Sequence, residues 1–289
     1  MPPDHAFQMT RPLTLAALER RQNIALRLSS RTLVRTPKAA ERFLADVGMA
    51  LRYHPGRGLP LASLYRAMAG SDPDKDELAP AIQLTNHLLG TASGIEVNVI
   101  AGRLSLVHRA LVPALLVLVR RGRGPDDLDG LSMPARSTYA LLTEQRAVAA
   151  GDVRRRLGVK MDPRHDPAYE ALAELQRALL VDRGPFVMPK AGIPYLSTEG
   201  YPYHLLHQVH ADFVGAAAQL SASAAADCFI SGYLDGAVFT TPRTLAKLFR
   251  SFLTLSEISA SVSRLVTRKV AQTLQVGPHG VVLSARSNA

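Results

Sequence analysis

Residues 137–197 read STYALLTEQRAVAAGDVRRRLGVKMDPRHDPAYEALAELQRALLVDRGPFVMPKAGIPYLS. Leu141, Leu142 and Val148 place an apolar face on a helix over Ser137–Ala149. Ala150 starts a short second helix through Leu157, and Gly158 ends it, because glycine takes the left-handed conformation that helix ends favour. A third helix spans Pro167–Leu180, with Tyr169, Leu172, Leu175 and Leu179 recurring at helical spacing. Leu180–Arg183 then reads as a strand, Gly184–Gly192 as a loop, and Pro194–Ser197 as the returning strand. Three helices followed by a two-stranded hairpin is the order of a winged helix-turn-helix.

The C-terminal segment repeats that order. Ala222–Leu234 is a first helix, Thr241-Pro242 opens a second over Arg243–Phe252, and Ser256 caps a third over Glu257–Lys269. Ile258, Val262 and Leu265 point inward. Val270–Val276 and Val281–Leu283 form a hairpin about Gly277-Pro278-His279-Gly280. Upstream, Leu13–Leu28 has helical spacing. Thr36-Pro37 starts a helix that buries Phe43, Leu44 and Val47 and ends at Gly48. Leu61–Met68 is a short helix. Ala79–Arg121 reads as mostly helical, with a short strand over Ile95, Val97 and Val99. The expected fold is mainly α (α+β), with tandem winged helix-turn-helix units and small β-hairpin wings. The Gly/Pro-rich, charged stretch 121–130 reads as a linker. The division is then 1–130 (helical or winged-helix-like), 131–215 (central winged helix) and 216–289 (C-terminal winged helix). Thr36-Pro37-Lys38-x-x-x-Arg42 and Thr241-Pro242-Arg243-x-x-x-Lys247 form a weak internal repeat, with Gly151-Asp152-x-x-x-Arg156 a poorer copy.

The 289 residues are 47% hydrophobic, with a net charge of +10, so the chain has apolar material for a core and a field that attracts polyanions. Arginine strongly outnumbers lysine, as it also would from composition alone. Cys228 is the single cysteine, which excludes an internal disulfide and a cysteine zinc site. It falls in an apolar helix pattern and reads as a buried thiol. No basic-then-apolar leader pattern opens the chain. The apolar run Ala110–Val119 is about half a membrane span. These features lead us to expect a cytoplasmic, nucleoid-associated protein with no membrane partner.

Phe43-Leu44-Ala45-Asp46-Val47-Gly48, Leu59-Pro60-Leu61-Ala62-Ser63-Leu64 and Lys75-Asp76-Glu77-Leu78 resemble the N-terminal part of AlkZ-related winged-helix proteins. Arg154-Arg155-Arg156-Leu157-Gly158 and Ala173-Glu174-Leu175-Gln176-Arg177-Ala178-Leu179-Leu180 resemble that family's middle unit. The resemblance implies tandem winged helices around a DNA channel. It also implies kinship with glycosylases that unhook interstrand crosslinks and excise alkylated bases. That family carries Gln-x-Gln or Gln-x-Asp on a strand to position the attacking water. Here Gln272-Thr273-Leu274-Gln275 has one residue too many, and on a strand its two amides point to opposite faces.

In the C-terminal unit, Ser259, Ser263, Arg264, Thr267 and Arg268 lie opposite the apolar stripe, with Lys269 at the end and His279 at the wing tip. Hydroxyls and guanidinium groups suit phosphate and base-edge contacts. Arg243 and Lys247 lie on the preceding helix. Other basic groups are Arg154, Arg155 and Arg156 with Lys160, and Arg31, Arg35, Lys38 and Arg42 with Arg52, His54 and Arg57. Each also reads as a solvated face, the last salted by Glu41 and Asp46. Glu170 and Glu174 would repel phosphates, so the central third helix is expected to pack on another unit. His204, His207 and His210 drift around a helix surface, even with Asp212 nearby, so neither metal nor cofactor is expected.

The reading is a DNA-binding protein, for duplex or branched DNA, in repair, damage response or transcriptional control. A DNA glycosylase with an atypical site is the alternative. A winged-helix scaffold for protein partners is the third, and it predicts no DNA affinity at physiological salt. Winged-helix regulators often pair, which makes a homodimer one expectation.

Overall fold

The computed structural model describes residues 14–28, 32–53, 61–70, 78–160, 162, 164–187, 201–276 and 281–285. Its architecture is mixed α+β with a helical majority. Helices followed by a two-stranded antiparallel hairpin recur three times along the described residues. The first occurrence is α2 (Pro37–Val47), β1 (Met49–Leu51), β2 (Ala62–Ser63), α3 (Leu64–Ala69), α4 (Leu78–Gly90), β3 (Gly94–Ile100) and β4 (Arg103–His108). Its sheet runs β2-β1-β4-β3, with Ala50 opposite Ala62 in a parallel pair and Met49 opposite Val107 in an antiparallel one.

The second occurrence is α6 (Met133–Glu144), α7 (Ala150–Leu157), α8 (Pro167–Arg177), β5 (Val181–Arg183) and β6 (Tyr203–Leu205). Val148 bridges to Tyr203 where a first strand would stand. The third is α11 (Ala222–Ala237), β7 (Phe239–Thr240), α12 (Pro242–Phe249), α13 (Leu255–Thr267), β8 (Ala271–Gln275) and β9 (Val281–Ala285), with sheet order β7-β9-β8.

The remaining helices tie these units together. After a 3-10 turn at Arg109–Leu111, α5 (Val112–Arg120) packs on α11 and on α10 (Ala211–Ala217), which follows α9 (Leu206–Val209). Its run of Val, Leu and Ala is buried in the largest core cluster, beside Phe229, Phe249 and Phe252. The N-terminal helix α1 (Leu15–Ala25) joins the third unit rather than the first. Its Leu18 is buried with Val238 and Val276, and Gln22 Nε2 donates to Ala237 O at 2.6 Å. Where α11 crosses α2, glycine is required. A Cβ on Gly236 would lie 2.4 Å from Val47 O, and Gly48 turns the chain with φ +68°. No described helix is by itself long and apolar enough to cross a membrane.

Several expectations change. The stretch 79–121 holds a buried hairpin, β3–β4, between α4 and α5. The short strand read over Ile95, Val97 and Val99 is the centre of β3, while its partner β4 went unread because Leu104, Leu106 and Val107 run on into the apolar residues of α5. Ala62–Ser63 is strand, and within the 61–68 stretch only Leu64–Met68 is helix. The partner of β5 is Tyr203–Leu205; Pro194–Ser197 lies outside the described residues. Thr254, not Ser256, caps α13. It forms a reciprocal box with Glu257, in which Thr254 N donates to Glu257 Oε2 at 2.8 Å and Glu257 N to Thr254 Oγ1 at 3.3 Å. Ser132 caps α6 by accepting from Ala135 N at 3.3 Å, so that helix starts earlier, at Met133. Cys228 is exposed.

The weak repeat joins unlike elements, since Thr36-Pro37 starts the first helix of its unit and Thr241-Pro242 the second. Shared helix-start chemistry accounts for it. Each threonine side chain accepts from a backbone N–H three residues on, at 3.2 Å in both helices. The 121–130 stretch is pinned to its surroundings. Tyr139 Oη donates to Pro125 O at 3.0 Å, and the Arg120 guanidinium donates to the carbonyls of Gly124 and Asp127.

Candidate nucleic-acid interface

The third helices of the three units meet different surroundings. The helix α8 packs against β3 of the first unit, where buried Gln176 donates from Nε2 to Glu96 O at 2.9 Å. Its glutamates serve local structure. Glu174 accepts from Ser132 N at 2.8 Å and Oγ at 2.6 Å, and Glu170 pairs with His165 at 2.8 Å. The helix α4 meets the loop after β5, where Asn86 Oδ1 accepts from Phe186 N at 2.8 Å. The helix α13 packs mainly within its own unit, on α11, α12 and β8. Ser256, Ser259, Ala260, Ser263 and Thr267 form its exposed crest, and Ile258, Ser261 and Leu265 form its buried side.

Beside that crest lies α12. Leu245, Leu248 and Phe249 bury one side. Arg243 and Lys247, exposed, and Arg250, the exposed C-cap, fall within about 60° of arc on the other. The tip of the β3–β4 hairpin packs under this helix, where Ala101 N donates to Leu248 O at 3.0 Å and Ser251 Oγ to Val99 O at 2.5 Å. Exposed Arg103 opens β4 next to that tip.

Arg264 and Arg268 do not stand on the crest. They flank it toward α11, where Asp227 accepts from Arg264 Nη2 at 2.7 Å, from Arg268 Nη1 at 3.3 Å and from Ser261 Oγ at 2.7 Å. Partial burial alone would raise the Asp227 pKa. The hydrogen bonds from Arg264 and Ser261, with the charges of both arginines, hold it below the ordinary carboxylate value. Sequence spacing missed both Asp227, hidden in an apolar helix, and Arg250. Arg250 was findable at seven residues from Arg243.

The other expected residues separate. Arg154 is buried and donates to both oxygens of Asp166, from Nε at 3.2 and 3.3 Å, which makes it an anchor of α7 rather than a phosphate contact. Arg155 is exposed and pairs with Asp152, Arg156 pairs with Glu144 at 3.0 Å, and Lys160 is exposed. Arg35, Lys38 and Arg42 are exposed around the start of α2, while Glu41 turns to His87 at 2.7 Å and Asp46 to Arg27 at 2.8 Å. Arg52, expected on the surface, is buried against Glu96. Lys269 is exposed in a left-handed turn, with φ 61°. Arg31, His54, Arg57 and His279 lie outside the described residues. The three basic groups thus stand on three separate units.

His204, His207 and His210 do not share a helix: the first is on β6, the second on α9, and buried His210 contacts Asp182 Oδ2 from Nε2 at 2.7 Å. Gln272 is half-buried and Gln275 exposed on β8, so the two amides do not converge.

These elements define a protein of mixed α+β architecture with an α-helical majority, in which helices followed by an antiparallel hairpin recur. No family model and no curated protein matches the sequence. Among solved structures the chain is similar to the Streptomyces sahachiroi DNA glycosylase AlkZ, with a TM-score of 0.54 over 96% of this chain and 71% of that one, at 14% identity. That likeness relates the fold of the chain to that of AlkZ.

Proposed function

We propose that the chain binds DNA, duplex or branched, through tandem winged-helix units divided at 1–130, 131–215 and 216–289. The third unit makes the main contact. The observation that carries this reading is the pairing of a third helix, α13, whose crest is exposed among the described residues, with the cationic stripe Arg243–Lys247–Arg250 on α12. A recognition helix enters the major groove while its neighbour crosses the backbone. The α13 crest offers serine and threonine hydroxyls, which donate to or accept from base edges and phosphates. The α12 cations meet phosphate oxygens. The fold likeness to a DNA glycosylase agrees with a role in repair or damage response.

Three phosphate contacts give a log affinity that falls with log salt at a slope of about −2.7. Fluorescence anisotropy with a labelled duplex across a salt series tests this. Salt-independent binding, or none at low salt, contradicts it.

The same likeness supports a second reading, excision of an alkylated or crosslinked base. The Gln-x-Gln or Gln-x-Asp pattern occurs nowhere in the chain, so the water-positioning groups would be different ones. Incubation with alkylated duplex followed by alkali separates the two readings. Strand breaks at alkylated positions establish excision, and intact strands leave binding alone.

A further inference from the structure

Two stretches of the sequence hold no acidic residue. One is 97–125, which carries Arg103, and the other is 236–256, which carries Arg243, Lys247 and Arg250. The fold brings them together. The tip of the β3–β4 hairpin meets the C-terminal end of α12, where Ala101 N donates to Leu248 O at 3.0 Å and Ser251 Oγ to Val99 O at 2.5 Å. Arg103 stands two residues beyond Ala101, and Arg250 two beyond Leu248. Resting on the reading that α12 meets phosphates, we infer that Arg103 of the first unit is a further phosphate contact. It carries the DNA surface off the third unit and across the junction between the two.

The charge of Arg103 is available. The residue is exposed, and its guanidinium has no hydrogen bond or ion pair among the described residues; the same holds for Arg243 and Arg250. Arg52, Arg154 and Arg264, by contrast, each hold a carboxylate. Arg243 and Arg250 are seven residues apart, about 10 Å along the helix. Arg103 lies beyond the Arg250 end of that row. With no carboxylate in either stretch, these like charges repel one another until a polyanion neutralises them.

The backbone that bears Arg103 is fixed in advance. Ala101 and Gly102, with φ 51° and 65°, make a two-residue turn of the left-handed kind that matches the twist of a hairpin. Register pairs Arg103 with Ile100, which is buried in the largest core cluster. The two hydrogen bonds at Val99 and Ala101 then tie the tip to α12 and the residue after its C-cap. A cation on such a scaffold loses less conformational freedom on binding than one on a loose loop.

The test is anisotropy of a labelled duplex with the full chain over a salt series. Each phosphate contact adds about 0.9 to the log–log salt slope, so the wild-type slope should steepen from about −2.7 to about −3.6, and Arg103→Ala should return it to about −2.7. Arg103→Glu should weaken binding at least tenfold at low salt. Arg103→Lys, which keeps the charge, should keep the wild-type slope. Arg164→Glu makes the same change of charge at an exposed position between α7 and α8, and it should cost less than threefold. Arg103→Gln is a second neutral variant should Arg103→Ala fail to fold. A wild-type slope in the neutral variants, or a loss in Arg164→Glu equal to that in Arg103→Glu, overturns the inference. If Arg243→Glu/Lys247→Glu still loses binding in that case, the α12 surface stands without Arg103. No binding by wild type at low salt overturns both.

Discussion

Arg264 on α13 reaches back to Asp227 on α11, with Nη2 2.7 Å from Oδ1 and Nε 3.0 Å from Oδ2. This two-pronged contact, joined by the Ser261 hydroxyl at 2.7 Å, sets how α13 lies against the first helix of its unit. Hydrogen bonds to a charged group contribute about 1.5–3 kcal/mol each. Replacing Asp227 with Asn should therefore destabilise the protein by about 2 kcal/mol and weaken DNA binding by displacing α13. Urea denaturation reads the first effect, and wild-type stability in the variant would contradict the role given to Asp227.

Acid should act through the same region. The Glu257 carboxyl is held down at about 2, by the Arg121 hydrogen bond first and by the Thr254 backbone second. Asp227 is shifted in the same direction. A depressed folded-state pKa means stability that is full above the unfolded value and lost as pH falls through the folded one. The loss should therefore run from about pH 4.5 down to about pH 2. Glu257 and Arg121 are partly exposed, so their share is small, about 1 kcal/mol after solvent screening. Thermal melts between pH 6 and pH 2 should show a shallower decline in Glu257→Gln than in wild type. Parallel curves would refute this assignment.

Glu96 on β3 is fully buried between Arg52 and Arg183, with Tyr201 bonded to Arg52. The carboxylate joins the first unit to the central one. Removing it would leave two buried guanidinium groups without their counter-charge. Breaking such a pair costs about 3–5 kcal/mol. Glu96→Gln should show that loss in chemical denaturation, and a change under 1 kcal/mol would count against the junction.

Gly236 gives a steric test. Its Cβ would lie 2.4 Å from Val47 O and 2.5 Å from Val47 Cα, both backbone atoms that cannot rotate away. Gly236→Ala should lower stability by about 1–3 kcal/mol, despite alanine's better helix propensity, because α2 and α11 must separate. Unchanged or higher thermal stability would show that the two helices have slack.

Local chemistry made much of this fold legible. Helix starts at Thr36-Pro37 and Thr241-Pro242 and the stop at Gly158 follow from side-chain caps and glycine's freedom, and the structure keeps them. The strand β3 was legible from the alternation of Ile95, Val97 and Val99, but its partner β4 was not, because its apolar residues run on into those of α5. Long-range partners were invisible for a different reason. Nothing near Asp227 in sequence announces Arg264, 37 residues away, and nothing near Glu96 announces Arg183, 87 residues away. Charge counting therefore placed Arg264, Arg154 and Arg52 on a free surface, whereas each has a carboxylate partner. Arg243 and Lys247 were legible because they share one exposed helix face with no apolar neighbour between them.

The most direct test of DNA binding is anisotropy of a labelled duplex with wild type and with Arg243→Glu/Lys247→Glu, at 50 and 200 mM salt. Both side chains are exposed, so the double variant should fold normally. The account predicts salt-sensitive binding by wild type, a loss of at least tenfold in the variant at low salt, and a log–log salt slope reduced by about 2. Equal affinity and equal slope in the two proteins would contradict it, and the α12–α13 surface would then not be where DNA is held.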